Sequence, residues 1–70
     1  MLEVRSAMQG RIIEVLVAAG ESVGAGDELV VIESMKMELP VQAPIAGQVR
    51  QVFVSVGDQV LDGTVLMVLE

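Results

Sequence analysis

The feature that most restricts this chain is an internal repeat. Moving Gly10–Glu33 along by 37 positions lays it on Gly47–Glu70 without a gap. Gly10, Val15, Val17, Gly20, Val23, Gly26, Leu29, Val31 and Glu33 then meet identical residues at Gly47, Val52, Val54, Gly57, Val60, Gly63, Leu66, Val68 and Glu70. Ile12 with Val49 and Ile32 with Leu69 are near matches. Shared glycines mark turns that need positive φ or a close approach of backbone, and shared aliphatic positions are candidate core. Each half is too small to bury its own apolar face, so the two must pack together about an approximate two-fold axis.

The local pattern says what the halves are made of. Apolar residues alternate or form short runs rich in Val and Ile, with Gly, Asp and Pro as punctuation. The spacing predicts strands near Leu2–Ser6, Arg11–Val17, Ser22–Val23, Glu28–Ser34, Met37–Val41, Gln48–Val54, Gln59–Val60 and Val65–Leu69. Ala19-Gly20, Gly24 to Asp27, Gly57-Asp58 and Asp62-Gly63 are turn signals between them. Pro40 and Pro44 argue against a helix running on from the middle of the chain, and no stretch holds a sustained i, i+3, i+4 apolar pattern. The expectation is a single all-β domain over residues 1–70: a flattened barrel or sandwich of eight short strands. Its halves are residues 10–33 and 47–70, joined by a hairpin and link over residues 34–46.

Several function classes lack material. The chain has no cysteine and no histidine, which removes disulfides, thiolate metal sites, cysteine nucleophiles and the usual general base; no metal site is expected. Ser34 has no base to make it a nucleophile. Phe53 is the one aromatic residue and the formal net charge is −6, so neither base stacking nor phosphate attraction is available and nucleic acid is not an expected partner. The N-terminal residues interleave charged and apolar side chains, and the apolar runs are far shorter than the ~18 residues of a membrane span. No membrane association is expected, and the cytoplasm is the default location.

Between the halves stands Glu33-Ser34-Met35-Lys36-Met37-Glu38. Lys36 is the only lysine, and the other basic residues are Arg5, Arg11 and Arg50. In a two-fold arrangement the link forms a hairpin projecting from one end, with Lys36 exposed at its tip on a rigid support. Glu33 and Glu38 are the carboxylates expected beside its amine. Such an amine fits acylation by a dedicated enzyme. It does not fit a Schiff-base catalyst, which needs a desolvated amine.

The Glu33–Glu38 stretch resembles the biotin attachment motif of the biotinyl domains of biotin-dependent carboxylases. The likeness runs over nearly the whole chain, including Pro44-Ile45-Ala46-Gly47 after the hairpin, and is greatest to small free-standing biotin/lipoyl attachment proteins. The same layout occurs as the C-terminal domain of larger carboxylase subunits. The resemblance implies a carrier without catalysis of its own. A biotin protein ligase would activate biotin as an adenylate, and the Lys36 amine would attack it. A biotin carboxylase component would load the biotin ring with CO2 from bicarbonate, and a carboxyltransferase component would pass the carboxyl group to an acyl-CoA or a small organic acid. Met35, Met37, Glu33, Glu38 and Ser34 are the candidates for recognition by the ligase. Met35 and Met37 could equally cover the apolar end of the core, and glutamates so placed are more often just a solubilising rim.

The chain departs from the family pattern at Ser34, where the commonest biotinyl motif has alanine. Ala7-Met8-Gln9-Gly10 also lacks a proline that often precedes the glycine, and nothing inserted between Val17 and Leu29 could form the protruding thumb of some biotin carriers. Two other readings share the fold. A lipoyl carrier would also modify a hairpin lysine, but lipoyl domains usually show Asp-Lys-Ala where this chain has Met35-Lys36-Met37. An unmodified lipoyl-like contact module, as in membrane-fusion proteins, would not need a lone lysine between methionines.

Overall fold

A computed structural model describes all of Met1–Glu70. It contains eight strands and no helix: β1 Leu2–Arg5, β2 Gly10–Val15, β3 Ser22–Val23, β4 Glu28–Ser34, β5 Met37–Gln42, β6 Gly47–Val52, β7 Gln59–Val60 and β8 Val65–Leu69. They form two four-stranded antiparallel sheets, ordered β1-β8-β6-β3 and β5-β4-β2-β7, stacked as a flattened sandwich of 30 × 18 × 17 Å. With no helix, nothing here is a helix long and apolar enough to cross a membrane.

The halves are interlocked. β1 and β3 lie in a sheet with β6 and β8, and β5 and β7 lie in a sheet with β2 and β4. The 37-position shift maps one sheet on the other pair by pair: Leu2↔Leu69 corresponds to Leu39↔Ile32, Val49↔Leu69 to Ile12↔Ile32, and Val23↔Gly47 to Val60↔Gly10. Hydrogen bonds between the halves come in matched sets as well. Gly57 N–H donates to Ile12 C=O as Gly20 N–H does to Val49 C=O, and Gly63 N–H donates to Ser6 C=O as Gly26 N–H does to Ala43 C=O. The symmetry therefore reaches back to Leu2 and Leu39, beyond the repeat that begins at Gly10 and Gly47.

Bulges recur at equivalent places. The register skips Ile13 in β2 and Arg50 in β6, and it skips Leu29 in β4 and Leu66 between β1 and β8. A bulge breaks the alternation of faces, so Leu29, Val30 and Ile32 are all buried, as are Leu66, Met67 and Leu69. These six, with Val4, Ile12, Val23, Ala43, Val49, Val54 and Val60, make one core. The bulges also explain why β2 and β6 end at Val15 and Val52 rather than two residues later. Beyond those ends Leu16 and Phe53 N–H still donate to the carbonyls of the bulged Leu29 and Leu66.

Both strands begin a residue early, at a glycine that must be one. A Cβ on Gly10 would lie 2.5 Å from the Glu33 carbonyl oxygen and 2.6 Å from Ile32 Cγ2, and one on Gly47 would lie 2.6 Å from the Glu70 carbonyl oxygen. Pro40 is tolerated because β5 is an edge strand, where a missing N–H breaks no ladder.

Candidate functional site

β4 is the element that positions the tip. It lies between β2 and β5, and its buried run Leu29–Ile32 anchors it in the core. The β4–β5 ladder stays regular from Val30↔Val41 to Glu33↔Glu38 and Ser34↔Met37, leaving Met35 and Lys36 as a two-residue loop. Their φ angles are 52° and 65°, and they are the only residues other than glycine at positive φ. Two consecutive left-handed residues define a type I′ turn, whose twist matches that of the flanking strands and which normally selects Asn-Gly. An L-residue with a full side chain pays about 1–2 kcal/mol in that region. Neither Met nor Lys is chosen by the turn, so their presence calls for a reason outside the backbone.

Lys36 is exposed, and none of the three ion pairs of the molecule involves it. The expected carboxylate neighbours are arranged otherwise. Glu33 Oε1 faces Arg11 at 4.0 Å across the β2–β4 ladder, and Glu38 pairs with no cation. Arg11, Glu33 and Glu38 form one cross-strand row, with the two glutamates directly opposite each other. Like charges so placed repel, and the strands are held together by the aliphatic row behind them, Ile12, Ile32 and Leu39. The tip thus carries a negative band below an unpaired ammonium group.

The two methionines do not cover the core. Met35 is 92% exposed and Met37 60% exposed, and neither is among the partly buried side chains packed against the core, where Met8 is found instead. Ser34 lies at the base of the turn and is half-buried. The strand pairing brings further residues to the tip that no local motif in the sequence marks. Met8, Gln9, Gly10, Arg11 and Gln59 line a shallow groove together with Glu33, Ser34 and Met35. Only the β2–β4 and β2–β7 registers reveal Arg11 and Gln59 as neighbours of the tip.

No group of three or more acidic side chains gathers in a way that could hold a metal ion. What the tip offers chemically is one primary amine, free of ion pairs, on a backbone fixed by a regular ladder, with thioethers on both sides. That donor fits a group held through an amide bond.

Comparison with known proteins gives consistent results. Residues 2–69 match the model of the biotin/lipoyl family described as "Biotin-requiring enzyme". The chain is 46% identical over 67 residues to the "Biotinylated protein TB7.3 homolog" of Mycobacterium leprae, covering 96% of this chain and 94% of that one. It is 46% identical over 59 residues to the dihydrolipoyllysine-residue acetyltransferase component of the pyruvate dehydrogenase complex of Cupriavidus necator, covering 84% of this chain and 11% of that protein. Among solved structures, the urea carboxylase of Kluyveromyces lactis superposes with a TM-score of 0.92 at 33% identity, over 99% of this chain and 6% of that one. The chain therefore spans nearly all of one relative and a small fraction of the larger enzymes. The protein belongs to the biotin/lipoyl attachment family of biotin-requiring domains.

Proposed function

We propose that residues 1–70 form one biotin carboxyl carrier domain and that biotin is joined by an amide bond to Nζ of Lys36. The observation that carries this reading is the type I′ turn: the only lysine of the chain sits at its tip, exposed and unpaired, in a backbone conformation its side chain does not favour. Support comes from membership of the family and from 46% identity to a biotinylated protein of almost the same extent. Met35, Met37, Glu33, Glu38 and Ser34 surround the amine and form the surface a biotin protein ligase would read.

Biotin, when bound, supplies the ring that accepts and releases a carboxyl group. The chain supplies position and reach, and no histidine or cysteine stands near the tip to add catalysis. Its working partners are the biotin carboxylase and carboxyltransferase components of a carboxylase, in the cytoplasm. A lipoyl carrier is the second reading, favoured by the likeness to the acetyltransferase component; the methionines in place of Asp and Ala around Lys36 rank it lower.

The test is intact mass after co-expression with a biotin protein ligase and free biotin, then peptide mapping. The expected result is one biotinyl group, on Lys36, and none in Lys36→Arg, whose fold is unchanged because the tip contributes nothing to the core. An unmodified wild-type chain beside a biotinylated control domain would overturn the reading, and gain of a lipoyl group with a lipoyl ligase would replace it.

A further inference from the structure

The five methionines are distributed in a way that the core does not explain. Met67 is fully buried and Met8 packs against the core, whereas Met35 and Met37 stand 92% and 60% exposed on either side of Lys36. A thioether in water is open to two-electron oxidation, and one enclosed by packed side chains is shielded. Met1 is exposed as well, at the chain terminus, but Met35 and Met37 place two exposed thioethers next to the amine, on the surface that a modifying enzyme has to grip.

We propose that Met35 and Met37 form an oxidation-sensitive gate on modification of Lys36, a role that rests on the carrier reading above. The oxidant is a hydroperoxide such as hydrogen peroxide. Its O–O bond breaks, one oxygen forms an S–O bond to the methionine sulfur, the sulfur loses two electrons to become a sulfoxide, and the peroxide is reduced to water. No atom of the backbone turn is altered, so the fold persists. The side chain, however, changes from an apolar group to a polar, chiral one. A ligase pocket shaped for an apolar thioether then has to bury an S=O oxygen without a partner. That penalty slows loading on the order of tenfold or more. Thiol-dependent methionine sulfoxide reductases reverse the step, so the block is repairable.

The sequence makes the test clean. Trypsin cleaves after Arg5, Arg11, Lys36 and Arg50, which leaves each methionine on its own peptide: Met1–Arg5, Ser6–Arg11, Ile12–Lys36, Met37–Arg50 and Gln51–Glu70. Unmodified protein is exposed to limiting hydrogen peroxide, the peroxide is removed, and one portion is repaired with sulfoxide reductase. All portions are then offered to the ligase with biotin. Oxidation is expected at the peptides of Met35 and Met37 well before that of Met67, with the exposed Met1 as an internal reference. Loading, read from the uncleaved Ile12–Arg50 peptide, is expected to fall on the order of tenfold in oxidised protein and to return after repair. In Met35→Leu/Met37→Leu protein the ratio of loading before and after peroxide is expected to be one.

Equal oxidation of Met67 and Met35, or full oxidation of Met35 and Met37 with loading unchanged, would overturn the gate while leaving the carrier intact. Failure of the untreated protein to take biotin would overturn the carrier reading, and the gate with it.

Discussion

At the pole where β4 meets β5, the ladder passes from Ile32–Leu39 through Glu33–Glu38 and Ser34–Met37 into the Met35-Lys36 turn. At the equivalent pole, Leu69 pairs with Leu2 and the ladder stops. Beneath both ends the construction is the same: a glycine, Gly10 or Gly47, lets two backbones touch, and an aliphatic pair seals the core. Above them it differs. One pole carries strained, exposed, apolar side chains and a negative band, and the other carries a close Arg50–Glu70 pair at 2.6 Å. Stability is thus a property of what the halves share, and the proposed function rests on what they do not.

The comparison can be broken first in the core. Leu29→Ala and Leu66→Ala remove equivalent, fully buried side chains at equivalent bulges. Each is expected to cost about 2–5 kcal/mol, which is most of the stability of a domain this small. Urea unfolding should give values within about 1 kcal/mol of each other; a larger gap would mean the two halves are packed unequally. Next come the glycines. Gly10→Ala forces a methyl group onto the Glu33 carbonyl inside a three-strand pairing and should cost about 1–3 kcal/mol. Gly47→Ala meets the carbonyl of Glu70, which lies beyond the last strand, with its backbone bonded to Gln48 and its side chain paired with the exposed Arg50, so its cost should fall at the lower end of that range. Equal costs would show the Glu70 end to be as rigid as the tip.

Smaller effects sharpen the contrast at the surface. Met35→Asn, a residue that accepts the left-handed region, should raise stability by about 0.5–1 kcal/mol. An unchanged urea midpoint would mean the turn carries no strain. Arg50→Gln removes the Glu70 pair, but both side chains are about half exposed, and the loss should be no more than roughly 0.5 kcal/mol and vanish in high salt.

Much of this was legible in the sequence because it is written in two periods. Alternation of apolar residues locates all eight strands, and the nine identities point to paired halves. The position of Lys36 followed from the gap between those halves. The limits of legibility have physical causes. The symmetry over residues 2–9 and 39–46 keeps identity only at Leu2/Leu39 and Val4/Val41, because Ser6 and Ala43 fill the same buried place with different chemistry. Bulges leave no compositional mark, so the early ends of β2 and β6 could not be read. Glu33 looked like a neighbour for Lys36 in sequence, yet register gave it to Arg11. Met8 and Met35 are the same residue type, and only packing sends one to the core and the other to solvent.

The pairing of Leu2 with Leu69 has a topological consequence. Residues 38 and 1 are equivalent, as are 33 and 70, so a linker copying Ser34-Met35-Lys36-Met37 between Glu70 and Met1 would close the molecule into a ring of two like units. Such a ring could be cut again at the original turn and still hold the same ladders. The fold is in essence a circle with one break, and the lysine marks the point diametrically opposite that break.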